Sequence, residues 1–104
     1  MRQIYFPGFL ESIAEQAEYL ANEANADLAE RFIEAVRFTT NQIERSPYLG
    51  FTREFRNAKL KNVRVWRVRD FEKYLIFYIP RKESVDFLYL IYSARDYIRL
   101  FDDE

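Results

Sequence analysis

From Phe9 onward, apolar residues recur three and four positions apart. Leu10, Ile13, Ala14, Ala17, Leu20 and Ala21 are separated by Glu11, Glu15, Gln16 and Glu18. This is the pattern of an amphipathic helix with one apolar stripe, and it ends near Asn22 to Ala24. Its small residues allow close approach of a neighbouring helix. Asn25 is suited to cap a second helix, because its side chain accepts a bond from an orphan backbone N–H. Asp27 then falls in the first turn, where the helix dipole favours a negative charge. The second stripe is Ala29, Phe32, Ile33, Val36, Thr40 and Ile43. Ser46 and Pro47 terminate it, since the residue before proline avoids the helical region. So short a connection predicts an antiparallel helical hairpin. Ahead of it, Arg2 to Phe6 reads as a short strand stopped by Pro7 and Gly8.

After Pro47 the period changes. Pro47-Tyr-Leu-Gly50 is a turn, and residues 51–62 are polar, basic and aperiodic, read as a loop with at most one helical turn. Val63 to Val68 alternates as a strand, with Val63, Val65 and Arg67 on one face and Arg64, Trp66 and Val68 on the other. Asp70 to Lys73 reads as a turn. Tyr74 to Ile79 and Val85 to Tyr92 flank the polar break Pro80 to Ser84 and predict a β-hairpin. Both faces of the first of these runs are apolar: Leu75, Phe77 and Ile79 on one side, Tyr74, Ile76 and Tyr78 on the other. Such a strand belongs in the centre of a sheet. Ala94 to Phe101 reads as a short last helix or an extended tail.

The expected fold is therefore α+β, in the order β-α-α-β-β-β. An N-terminal strand pairs at the sheet edge, and the helical hairpin packs on one face of a mainly antiparallel sheet. Little in the chain remains to cover the other face, which carries Tyr, Phe and Leu. An uncovered apolar face rimmed by Arg and Lys reads as a surface for a partner.

Composition narrows the chemistry. At 104 residues the chain is expected to form one domain, 1–104, with a single modest core. Ten Phe, eight Tyr and one Trp argue against disorder. The sequence has no cysteine and no histidine, which removes disulfides, zinc–thiolate sites, thiol nucleophiles and the usual general base. No metal-ligand spacing, phosphate loop or nucleotide fingerprint is present, so no metal or cofactor is expected. No run approaches signal-peptide or membrane-spanning length, and a soluble cytoplasmic protein is expected.

The net charge of −1 hides an asymmetry. Residues 53–73 hold eight Lys and Arg against three carboxylates, a balance of +5. Such a stretch steers toward an anionic partner, nucleic acid or acidic peptide, or else guards a solvated loop and edge strand against aggregation.

The ordered set of motifs resembles the RelE/ParE superfamily of type II toxin–antitoxin toxins, most closely its ParE-like branch of plasmid-stabilisation proteins. The resemblance rests on Ala29-Glu-Arg-Phe32 in the second helix and Ser46-Pro-Tyr-Leu-Gly50 at its end. It continues with Val63-Arg-Val-Trp66, then Tyr74-Leu-Ile-Phe-Tyr78, then Ile91-Tyr-Ser-Ala-Arg-Asp96. It implies growth inhibition relieved by a ParD-like antitoxin whose acidic, partly disordered C-terminal segment wraps the toxin. It also implies that DNA is met only through the toxin–antitoxin complex, and it is compatible with a homodimer or a toxin–antitoxin hetero-oligomer.

Two activities are known in such a superfamily, and a third reading stands beside them. ParE-like proteins are associated with poisoning DNA gyrase, which requires binding alone. RelE-like proteins cleave ribosome-bound mRNA, which requires proton donors and acceptors with cations around the phosphorane. An inactive homologue would serve only as an antitoxin-binding co-repressor. If the chain is a ribonuclease, Arg64, Tyr92 and Arg95 are the catalytic candidates. Tyr92 is a general acid, a stacking surface, or a packed aromatic at a strand end. An ordinary tyrosine pKa of about 10 makes it a poor base at neutral pH. Arg64 and Arg67 face opposite ways, and Arg64 is the one favoured for the open sheet face. Arg95 either pairs with a carboxylate or reaches that face, and Asp96 is read as a cap. The residues proposed to meet a partner are Arg64, Trp66, Arg67, Tyr78, Tyr92 and Arg95. With no histidine, and central strands that are aromatic and aliphatic, binding is favoured over catalysis.

Overall fold

The fold is a computed structural model in which residues 1–52 and 61–92 are described. Its spine is a ten-residue strand, β4 (Phe71–Pro80). The other elements are β1 (Arg2–Tyr5), α1 (Pro7–Glu23), α2 (Ala26–Arg45), β2 (Phe51–Thr52), β3 (Arg64–Val68) and β5 (Ser84–Ile91). The sheet order is β1-β5-β4-β3-β2, which puts β4 in the middle. β1 lies at the edge and runs parallel to β5, with Arg2 opposite Ser84; the other pairings are antiparallel. The α+β arrangement expected from the pattern is the one observed.

The helices begin and end where local chemistry dictates. Pro7 occupies the first turn of α1, where its missing N–H breaks no bond. Asn25 Oδ1 accepts from the Leu28 N–H at 2.8 Å and caps α2, and Asp27 sits in its first turn. α2 stops at Arg45, before Ser46 and Pro47.

The stripe of α1 is rotated from the expected one. Leu10 is half exposed and Ala14 is exposed, while Phe9 is buried, with Ile13, Ala17 and Leu20 packed behind it. In α2, Ile33 also lies outside the core, and Thr39 takes a buried place. Thr39 Oγ1 donates to Ala35 O and accepts from the Arg69 N–H at 3.1 Å, which ties α2 to the β3–β4 turn. At the other edge, Gln3 Nε2 donates to Asn41 Oδ1 and Glu44 Oε1, each at 2.7 Å, and ties β1 to α2.

Two irregularities shift the sheet faces. Tyr78 lies opposite Phe87 and Phe77 opposite Tyr89, so Leu88 is an extra residue in β5. Phe87 and Leu90 consequently share the helix-covered face. Between β3 and β4 the turn is Arg69–Asp70, with Asp70 in the left-handed region at φ 66°. β4 therefore starts at Phe71, not at Tyr74 after a longer turn, and the register slips between Val68–Phe71 and Arg67–Leu75. Phe71 and Tyr74 both meet the ring of Phe32 as a result.

The sheet is packed on both faces. Phe9, Phe32, Val36 and Ile43 meet Val68, Tyr74, Ile76, Tyr78, Val85, Phe87 and Leu90 beneath the helices. On the second face Val63, Val65, Phe77, Ile79 and Leu88 form another buried cluster, with Leu75, Tyr89 and Ile91 partly buried. The bare apolar face expected from the sequence is thus corrected: its centre is withdrawn from water. Each such side chain left exposed would cost about 1.5–3 kcal/mol. Residues 53–60, the predicted last helix or tail at 94–101, Arg95 and Asp96 lie outside the described residues.

Candidate functional site

β3 carries two of the basic residues singled out in the sequence, Arg64 and Arg67, and its two ends are built differently. At the first end, the turn after α2 is clamped. The Tyr78 hydroxyl accepts from the Gly50 N–H at 2.9 Å and donates to Pro47 O at 2.8 Å. Arg64 Nη1 donates to Gly50 O at 2.8 Å and to Tyr48 O at 3.2 Å, and its guanidinium lies 4.8 Å from the centre of the Tyr48 ring. The Pro-x-Leu-Gly turn is therefore read by one phenol and one guanidinium. Burial raises the Tyr78 pKa above its usual value of 10.0, and the Gly50 bond and the Arg64 charge pull the other way. The phenol stays protonated at physiological pH and keeps its donor.

Two expectations are corrected at this end. Tyr78 is fully buried, so it holds the turn and does not meet a partner. Arg64 stands opposite Tyr78, on the helix-covered face, and it is Arg67, opposite Leu75, that shares the second face.

The second end of β3 is open. β2 pairs only with Arg64 and Val65, so Trp66 to Val68 have no outer neighbour among the described strands. The Arg67 guanidinium folds back to lie 4.5 Å over the Trp66 ring, which packs against Phe51 at 5.8 Å. The Arg69 guanidinium lies 4.6 Å over the Phe38 ring. Between them is a hollow of about 230 Å³ lined by Gln42, Trp66, Arg67, Arg69 and Glu72. A second groove of about 740 Å³ runs on between α2 and the β3–β4 turn, past Phe38 and Phe71. Phe51 and Phe38 remain 61% and 41% exposed. The +5 stretch pointed to this region, but Phe38, the ring under Arg69, comes from α2, and Phe51, the ring against Trp66, comes from β2, and neither was legible as a neighbour.

Tyr92 lies elsewhere. It is half exposed at the end of β5 and meets Tyr74 edge-on at 4.9 Å, and Tyr74 donates to Gln16 Oε1 at 3.1 Å. Burial raises the Tyr74 pKa, with Tyr92 and Tyr19 adding to it. The structure does not bring Arg64 and Tyr92 together. They are two strands apart and about four residues apart along β4, roughly 10 Å across and 13 Å along the sheet. Of the hairpin-turn charges, Arg81 is paired: its Nε meets the largely buried Asp86 at 3.0 Å. Among the described residues, no group of three acidic side chains could hold a metal, and no helix is long and apolar enough to cross a membrane.

The fold is shared with a known protein. The solved structure titled as the chromosomal ParDE toxin–antitoxin system from P. aeruginosa superposes with a TM-score of 0.72, over 89% of this chain and 96% of that one, at 8% identity. At that identity the likeness is one of fold. Among curated proteins, none matches. The family model described as the ParE toxin of the type II toxin–antitoxin system, parDE, matches residues 4–97. This chain belongs to the ParE toxin family of type II toxin–antitoxin systems.

Proposed function

We propose that this chain arrests growth by binding a cellular target, DNA gyrase first among the candidates, and that a ParD-like antitoxin neutralises it. The observation that carries the binding mode is the separation of Arg64 from Tyr92. General acid–base cleavage needs its groups within hydrogen-bond reach of one scissile phosphate. Here Arg64 is occupied by two backbone carbonyls, and Tyr92 packs on Tyr74 at the far end of the sheet. The solved relative, described as a ParDE system, supports an antitoxin as the partner.

Expression without the antitoxin should stop growth, and co-expression should restore it. Supercoiling by purified gyrase should fall in the presence of the protein, while a reporter mRNA on ribosomes stays intact. Ribosome-dependent cuts in that mRNA, lost in Tyr92→Phe or Arg64→Ala, would overturn the reading in favour of a ribonuclease. A chain that leaves growth untouched in the absence of antitoxin would instead be a co-repressor module.

A further inference from the structure

We infer that the open end of β3, with Arg67 over Trp66 and Arg69 over Phe38, is a binding site for single-stranded nucleic acid. This ligand is additional to the antitoxin and the target proposed above.

The chemistry of the edge selects that ligand. The hollow presents two guanidiniums against one carboxylate, Glu72, with the Gln42 amide beside them. Among the described residues, neither Arg67 nor Arg69 is engaged in an ion pair. Two cations held in no ion pair among the described residues attract a polyanion. The aromatic rings decide which one. A purely acidic peptide has no planar groups to set against the exposed rings and draws on the cations alone. Unpaired bases stack on aromatic side chains and on guanidinium planes, at about 1–3 kcal/mol per base. Each guanidinium already lies 4.5–4.6 Å from a ring centre, and Phe38 itself and Phe51 beside Trp66 leave aromatic area exposed. A duplex keeps its base faces stacked and presents only phosphates, sugars and groove edges, so it should be a poorer ligand. Phe51, against Trp66, extends the stacking surface toward β2.

The experiment uses the full chain and its sole tryptophan, Trp66, as the reporter. An oligothymidylate of about twelve nucleotides, within the range one such site covers, is titrated at low salt. The expected result is saturable quenching of Trp66 fluorescence, with an affinity that falls as salt rises. Replacing both arginines, Arg67→Ala with Arg69→Ala, should weaken binding by about tenfold and make the salt slope shallower by about 1.4, the share of two phosphate contacts. Phe38→Ala, followed by anisotropy of a labelled oligonucleotide, should weaken binding while leaving the salt slope unchanged.

Far-UV circular dichroism and the thermal midpoint check that the variants fold. If the double variant does not, two comparisons with the unaltered protein still decide. Polyglutamate of equal charge binding as tightly would make the edge a site for acidic polypeptide and overturn the inference. A DNA duplex of equal length binding as tightly would reduce it to general phosphate attraction and overturn it too. Absence of saturable quenching at low salt would also overturn it.

Discussion

Arg64 and Arg67 stand three residues apart on one short strand and are used in opposite ways. Arg64 turns inward, where its charge is consumed by the carbonyls of Tyr48 and Gly50. Arg67 turns outward and lies over an indole. The neighbours explain the difference. At Arg64 the strand is flanked by β2 and by a turn whose carbonyls need donors; at Arg67 the flanking strand has ended. Sequence charge counts both residues alike, yet only the second is free to meet another molecule. A basic stretch is therefore read correctly only after each cation has been checked against the backbone acceptors within its reach.

The comparison can be broken by stability measurements at the two ends. The largest effect is expected for Gly50→Ala. Its Cβ would lie 2.7 Å from Tyr78 Oη and 2.8 Å from Val65 O, a main-chain atom that cannot step aside. Overpacking of this kind should cost about 3 kcal/mol in urea unfolding. Arg64→Ala leaves two turn carbonyls without their charged donor and should cost about 2 kcal/mol.

Tyr78→Phe strands the Gly50 N–H and Pro47 O, for about 1.5 kcal/mol at neutral pH. It also sharpens the comparison through its pH profile. The folded protein holds the Tyr78 proton more tightly than the unfolded chain, whose phenol ionises near 10.0. Stability is therefore undiminished below that pH and falls as pH rises from there toward the folded pKa. The Phe variant should lose that part of the alkaline fall; the part due to Tyr74, also raised, should remain.

Smallest of all, Arg67→Ala with Arg69→Ala should change unfolding free energy by less than about 0.5 kcal/mol, as expected for exposed side chains. A loss there as large as at Gly50 would mean that both ends of β3 hold the fold, and that the contrast drawn between them is wrong.

Much of the architecture was legible because local signals agreed with one another. Asn25 followed by Asp27 marked the start of α2, and Ser46 with Pro47 marked its end. The doubly apolar run from Tyr74 to Ile79 marked the middle of the sheet. What was not legible depended on long-range partners. Phe9 and Leu10 are adjacent, and either begins a stripe at helical spacing; Phe87 and Tyr5, stacked against Phe9, decide for Phe9. The extra residue Leu88 is an ordinary strand residue by composition, and only the pairing of Phe77 with Tyr89 reveals it. Arg64 looked like a surface cation because its acceptors are backbone carbonyls, and side-chain chemistry cannot advertise those. The site at the far end of β3 was half visible, as charge, and half hidden, because Phe38 is contributed by a helix nearly thirty residues earlier.

The parallel pairing of Arg2–Tyr5 with Ser84–Phe87 sets the order in which this molecule can be completed. Among the described strands, β1 has its one sheet neighbour in β5, across a separation of 82 residues from Arg2 to Ser84. Joining strands so distant in sequence is slow compared with forming helices or adjacent hairpins. The α1–α2 hairpin can form while the ribosome is still extending the chain, but β1 must wait until β5 exists. A premature stop before Ser84 would therefore yield a chain with its helices formed, its sheet unclosed and the Arg2–Tyr5 edge exposed for aggregation or chaperone capture.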